Sequence, residues 1–130
     1  MNVLYTSVVL PDRGTILLLG SEEHGWHLPN THVQTGENVQ QAAQRAVREA
    51  TGVAVALTNL VGIYTDSTPA AHFVFTAYTT PDRVQPPPQS EARWATLDEA
   101  MALLSSTDSL NRVLADIQRG LRFPLGVLSE

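Results

Sequence analysis

From Asn38 to Thr51 the apolar residues Val39, Ala42, Ala43, Ala46, Val47 and Ala50 recur at intervals of three and four, the period of an α-helix. Gly52 follows as the expected stop. The pattern predicts an amphipathic helix whose buried stripe is almost all alanine, the best helix former. Such a stripe packs close to whatever it covers, and the rest of the chain supplies strands.

Val3 to Leu10 and Thr15 to Leu19 are β-branched or aliphatic, and Pro11-Asp12-Arg13-Gly14 between them carries turn chemistry, which predicts a hairpin. Val53 to Tyr64 and Ala71 to Thr80 predict two more strands, with Thr65-Asp66-Ser67-Thr68-Pro69 as their turn. The proline-rich stretch from Pro81 to Ser90, with Pro86-Pro87-Pro88 at its centre, predicts a stiff extended loop. A short strand from Ala92 to Ala95 precedes Thr96-Leu97-Asp98-Glu99, a capping-box spacing that opens a helix through Leu104. A last helix is predicted from Ser109 to Arg119, closed by Gly120. Strand, helix, strands and then helices give a mixed β-sheet flanked by helices, an α+β arrangement, in a single domain over residues 1–130.

Composition narrows the chemistry by exclusion. There is no cysteine, so thiolate nucleophiles, thiolate metal sites and disulfides are ruled out. All eight basic residues are arginine, which removes the Schiff-base lysine and the lysine of a GxxxxGK phosphate loop. No GxSxG, GxGxxG or HExxH pattern occurs. The formal charge of -5, with no basic run, disfavours capture of a nucleic acid duplex but leaves room for a small anionic ligand. The opening residues read as strand and turn rather than as a signal peptide, and no apolar run reaches membrane-spanning length; the expectation is a cytoplasmic protein with no membrane partner.

The helix and its approach resemble the Nudix family. That family's signature is G-x5-E-x7-R-E-U-x-E-E-x-G-U, usually preceded by a tryptophan and a Leu-Pro-Gly-Gly turn; here Glu37, Arg45, Val47, Glu49, Gly52 and Val53 match it. Thr31, Ala46 and Ala50 depart from it, standing where a glycine and two glutamates belong. Trp26, Leu28-Pro29, the later strands and Glu91-Ala92-Arg93-Trp94 follow the family's order, so the resemblance spans nearly the whole chain. It implies an α/β/α sandwich with a mixed sheet, and a hydrolase of a nucleoside diphosphate linked to another moiety. It implies Mg2+ or Mn2+ as cofactor, a small nucleotide-like ligand, often a homodimer, and a Glu37–Arg45 pair bracing the loop against the helix.

At about 100° per residue, positions 46, 49 and 50 share one narrow sector of the helix, so three carboxylates there would converge on shared metal ions. Only Glu49 remains. Magnesium usually takes one or two carboxylates and completes its shell with water and substrate phosphates, so Glu49 with Glu37 is the candidate metal pair. Glu49 and Glu91 are the candidate catalytic residues; Glu22, Glu23, Asp66 and His32 are weaker, surface charge or a solvated loop histidine being the plainer reading. Asn30-Thr31 in place of two glycines predicts a turn of altered shape, because a β-branched residue resists left-handed backbone. Trp26, Tyr64 and Phe73, with Trp94 behind them, are candidates for stacking on a base, against the simpler reading that they pack in the core. Three functions remain open: an impaired or altered hydrolase, a nucleotide-binding module without turnover, and an interaction domain.

Overall fold

In a computed structural model the chain is described over residues 3–21, 25–65, 69–78, 92–103 and 108–120, with Phe123 and Leu125. The alanine-striped segment is helix α1 (Val39–Thr51). A capping box fixes its start: Asn38 Oδ1 accepts the Gln41 N–H at 2.8 Å, and Gln41 Oε1 accepts the Asn38 N–H at 3.0 Å. Two N–H groups that the first turn cannot satisfy are thereby bonded. At the other end Gly52 takes φ 76°, and its N–H donates to the Arg48 carbonyl at 2.7 Å. Ala42, Ala43, Ala46 and Val47 are buried, as the period predicts, with Thr51 beside them.

The strands are β1 (Leu4–Val9), β2 (Pro11–Asp12), β3 (Thr15–Ser21), β4 (Gly25–His27), β5 (Asn30–His32), β6 (Ala56–Thr65), β7 (Ala71–Tyr78) and β8 (Ala92–Ala95). The expected mixed sheet is present in the order β5-β1-β7-β6, with β1 parallel to β7 and the other pairs antiparallel. The other four strands form a second, antiparallel sheet that the element order did not reveal: β3 pairs with β2, β4 and β8.

The predicted first hairpin is therefore corrected. Residues 3–10 and 15–19 do not form its two arms; β1 pairs with β5 and β7. The hairpin is β2–β3, pairing Pro11 with Ile16 and Asp12 with Thr15. Its two turn residues, Arg13 at φ 53° and Gly14 at φ 82°, are both left-handed, the geometry whose twist suits a two-residue hairpin. Arg13 and Gly14 make the turn, while Pro11 and Asp12 are strand residues and the chain changes sheets after Leu10.

Helices α2 (Leu97–Leu103) and α3 (Asp108–Gln118) follow, α2 opening with the predicted box in which Glu99 Oε1 accepts the Thr96 N–H at 3.0 Å and Thr96 Oγ1 accepts the Glu99 N–H at 3.2 Å. Strand alternation splits the core in two. Val9, Ile16, Leu18 and Val74 join Ala100, Val113 and Leu114 of α2 and α3 on one side. Val8, Leu10, Leu17 and Phe75 join Ala43 and Val47 of α1 on the other. The strands are thus covered on both faces, helix α1 on one and α2 with α3 on the other, which is the α/β/α arrangement.

Tyr64 ties α3 to the mixed sheet: its hydroxyl donates to Asp116 Oδ2 at 2.8 Å, and the Asp116 side chain, 5% exposed, also meets Arg112 at 3.3 Å and Arg119 at 3.8 Å. Burial, then the bond to Asp116, pushes the Tyr64 hydroxyl's pKa up.

Two outcomes are expected. Gly52→Ala should cost about 1 kcal/mol through its left-handed φ alone, since a Cβ at Gly52 meets no atom within 4 Å; urea unfolding measures it. Tyr64→Phe should cost about 1–2 kcal/mol by withdrawing a donor from a carboxylate. Because the folded phenol keeps its proton while the unfolded one loses it, wild-type stability should fall as pH rises through the ordinary phenol value of about 10. The melting-temperature gap between wild type and Tyr64→Phe should narrow there; a constant gap would contradict the contact.

Candidate active site

The loop entering α1 closes on itself before the helix begins. Glu37 N–H donates to the Gln34 carbonyl at 3.1 Å, and Gln34 N–H donates to Glu37 Oε1 at 3.0 Å. Arg45, on the second turn of the helix, then reaches back. Its Nε donates to Glu37 Oε2 at 2.9 Å and its Nη2 to Glu37 Oε1 at 3.0 Å, a two-pronged carboxylate contact. Nη2 also donates to the His32 carbonyl at the end of β5, at 3.0 Å, and Nη1 to Glu49 Oε1 one turn along the helix, at 3.0 Å. One guanidinium therefore joins loop, strand and helix.

The electrostatics follow from this packing. The Arg45 hydrogen bonds, helped by the Gln34 N–H and only partly opposed by burial, hold the Glu37 carboxyl down at about 2. Glu37 and then Glu49 hold the Arg45 guanidinium in its charged form. Arg45 and Glu37 side chains are 13% and 16% exposed, so solvent screens the pair weakly; Glu49, at 63%, is an outer member.

The structure brings Glu37, Arg45 and Glu49 together, and it gives the two alanines a definite place. Ala46 is 6% exposed and Ala50 is half-buried, both on the side of α1 turned to the strands. Glu37 has both oxygens engaged, whereas Glu49 Oε2 has no hydrogen-bond partner among the described residues. No group of three or more histidines, aspartates or glutamates is placed to hold a metal ion among the described residues. The donors present suit one ion completed by water and ligand phosphates, and they do not make a cage for several.

Asn30 and Thr31 belong to β5, paired with Ser7 and Thr6, and neither has positive φ. The expected altered turn is an ordinary extended strand, so a β-branched residue at position 31 is unstrained. Asn30 Nδ2 and His27 Nδ1 both lie on the Leu28 carbonyl, at 2.7 and 2.9 Å.

The three proposed stacking residues do not meet. Trp26 and Tyr64 pack against the cluster shared with α2 and α3, and Phe73 against the cluster shared with α1. The indole N–H of Trp26 is buried with no hydrogen-bond partner among the described residues. A ring pair that the sequence does not bring together is Tyr5 and His72, whose rings stack at 5.1 Å between centroids and 11° between planes. Both are strand residues with no local signature, and only the parallel register of β1 and β7 makes them neighbours. Glu91, Glu22, Glu23, Asp66, His24 and Pro86-Pro87-Pro88 lie outside the described residues.

The NUDIX domain family model matches residues 2–117. Among solved structures, a NUDIX hydrolase from Nitrosomonas europaea is similar with TM-score 0.82 and 22% identity, covering 100% of this chain and 97% of that one. An Ap4A hydrolase of C. elegans is similar with TM-score 0.70 and 23% identity over 93% of this chain and 99% of its own. An ADP-ribose pyrophosphatase from Streptococcus suis follows with TM-score 0.68 and 18% identity, over 90% and 92%. No curated protein matches the chain in sequence. Nudix proteins generally use a divalent metal such as Mg2+ or Mn2+. Identities this low carry the fold alone, but the family match spans most of the chain, and with the helix, its glycine stop and the Glu37–Arg45 clamp in place, this chain belongs to the Nudix family.

Proposed function

We propose that this protein acts on, or binds, a nucleoside diphosphate linked to another moiety, with metal-dependent diphosphate hydrolysis that is impaired or altered. The observation that carries the reading is the state of α1: the clamp of Arg45 on Glu37 is intact, while of the three positions where the family's signature has glutamate the two turned to the strands, 46 and 50, are alanine and only the exposed Glu49 remains. The substrate class is supported by relatives described as an Ap4A hydrolase and an ADP-ribose pyrophosphatase. The protein is proposed to work in the cytoplasm, as a homodimer; no helix among the described residues is long and apolar enough to cross a membrane.

Residue roles divide by what each group has left to offer. Glu49, with one oxygen unbonded among the described residues, is the proposed metal ligand, and Glu91 is proposed as the second acidic group. Glu37 spends both oxygens on the clamp, so its proposed part is to hold the loop at the entrance to the helix. A bound Mg2+ or Mn2+ would neutralise charge on the phosphoryl oxygens. A second reading, a binding module without turnover, is favoured by the same clamp: Arg45 already occupies one Glu49 oxygen and lowers the negative charge that would gather cations.

A panel of nucleoside diphosphate derivatives, assayed with Mg2+ and with Mn2+, separates these readings. Weak wild-type turnover lost in Glu49→Ala supports the hydrolase, and the double variant Ala46→Glu with Ala50→Glu should raise it by about 100-fold, the scale of an electrostatic stabiliser. Turnover in the double variant alone supports the binding module. Wild-type turnover indifferent to Glu49→Ala would overturn the assignment of Glu49.

The clamp has its own acid signature. Since the folded Glu37 carboxyl titrates at about 2 against an ordinary 4.5, its contribution to stability is complete above 4.5 and is lost as pH falls toward 2. Glu37→Gln should melt below wild type at neutral pH, and the gap should shrink through that acid window. A gap independent of pH would mean that the charge on Glu37 does not matter.

A further inference from the structure

We propose that the Tyr5–His72 stack is the seat for the aromatic base of the ligand, with the free face of Tyr5 and the neighbouring His32 forming its open side. This rests on the reading above that the ligand is a nucleoside derivative. The strand registers place His32, Tyr5, His72 and Tyr64 in one row across β5, β1, β7 and β6. Directly paired residues project from the same face of a sheet, so the four rings share one face, that of Val9 and α3. The row is closed at one end, where Tyr64 is anchored to Asp116 of α3. It is open at the other: Tyr5 is 36% exposed and His32 is exposed.

The stack decides which ring face is offered. β7 and β5 flank β1 on opposite sides, and His72 of β7 covers one face of Tyr5. The other face is therefore turned toward β5, where His32 stands opposite without a ring contact among the described residues. One step along the same face, Ser7 pairs with Asn30. The Ser7 hydroxyl and Asn30 Oδ1 have no hydrogen-bond partner among the described residues, so a donor-acceptor and an acceptor border the stacking face, as needed to meet a base edge.

The site also connects to the helix. β5 is an edge strand, and the carbonyl of His32 is the one that Arg45 holds at 3.0 Å. A ligand can lay its base on this face and lead its phosphates around β5 to the Glu49 edge of α1. Stacking on an aromatic side chain tolerates any base and contributes strongly to nucleotide affinity.

The test is equilibrium binding of AMP and of ribose 5-phosphate to the metal-free protein, for wild type, Tyr5→Phe and Tyr5→Leu. Wild type and Tyr5→Phe should bind AMP alike, and Tyr5→Leu should bind it about tenfold more weakly, with ribose 5-phosphate unaffected by either change. In wild type the AMP ring protons should shift upfield in NMR as they enter the ring current of Tyr5, a readout independent of any variant. Equal binding of the two ligands by wild type, no AMP binding, or AMP affinity untouched in Tyr5→Leu would each overturn the proposal. AMP has no diphosphate to cleave, so hydrolysis of a diphosphate derivative that ignores Tyr5 removes this inference and leaves the proposed function, while AMP stacking with neither hydrolysis nor binding of any nucleoside diphosphate derivative does the reverse.

Discussion

The contact on which the rest of the site depends is the grip of Arg45 on Glu37. Beyond Val33, whose N–H donates to the Leu4 carbonyl of β1 at 2.8 Å, the loop between β5 and α1 has no backbone bond to a strand among the described residues; its internal bond pair, Gln34 with Glu37, fixes a turn but not the turn's position. Position comes from the guanidinium, which spans the Glu37 carboxylate, the His32 carbonyl and Glu49 at once. Only arginine has a planar fork with enough donors for that, and a lysine ammonium in its place would satisfy one partner well and the others poorly. Partial burial of both charged groups strengthens the bond and raises the cost of losing either partner.

With the loop fixed, the helix is set on the sheet by size rather than by shape. Ala42, Ala43 and Ala46 present only methyl groups, and α1 lies against β1 and β5 through them. The larger apolar side chains of that core come from the strands: Val8, Leu10, Leu17 and Phe75. Small residues on the helix and large ones on the sheet fill the interface without forcing rotamers. On its other side α1 presents Gln41, Gln44, Arg45 and Arg48, which with Gly36 and Glu37 line a shallow polar hollow of about 370 Å³.

The helix was legible in the sequence because its evidence is local. Period, alanine content and Gly52 all lie within fifteen residues of one another, and the Thr96–Glu99 box is equally local. The split into two sheets was not legible. Residues 3–10 and 15–19 alternate as strands in either arrangement, and nothing in their composition says that β1 takes β7, more than sixty residues away, as its parallel partner. The site shows the same division. The Glu37–Arg45 pair came with the family's spacing, and Arg45 with Glu49 is an i, i+4 pair visible on any helical wheel. The row of His32, Tyr5, His72 and Tyr64 is set by register alone. Nothing local in the sequence separates Phe73, Trp26 and Tyr64, which pack against the two cores, from Tyr5, which is 36% exposed.

Ala46 and Ala50, the alanines at glutamate positions of the family's signature, are best understood as one change with two effects. A carboxylate at position 46 would sit where only 6% of the residue is exposed, beside the methyl groups that close α1 on the sheet. An ionised group there is stable only if cations or hydrogen-bond donors surround it, since desolvation otherwise costs several kcal/mol, roughly. Arg45, the adjoining residue, is committed to Glu37 and Glu49 and has little left to give. Without tightly held metal ions, alanine is therefore the stable residue at that place, and on the proposed reading an edge with alanine there collects ions less well. The two conditions reinforce each other and leave Glu49, on the solvent side, as the proposed contact for a phosphate-bearing ligand and its cation.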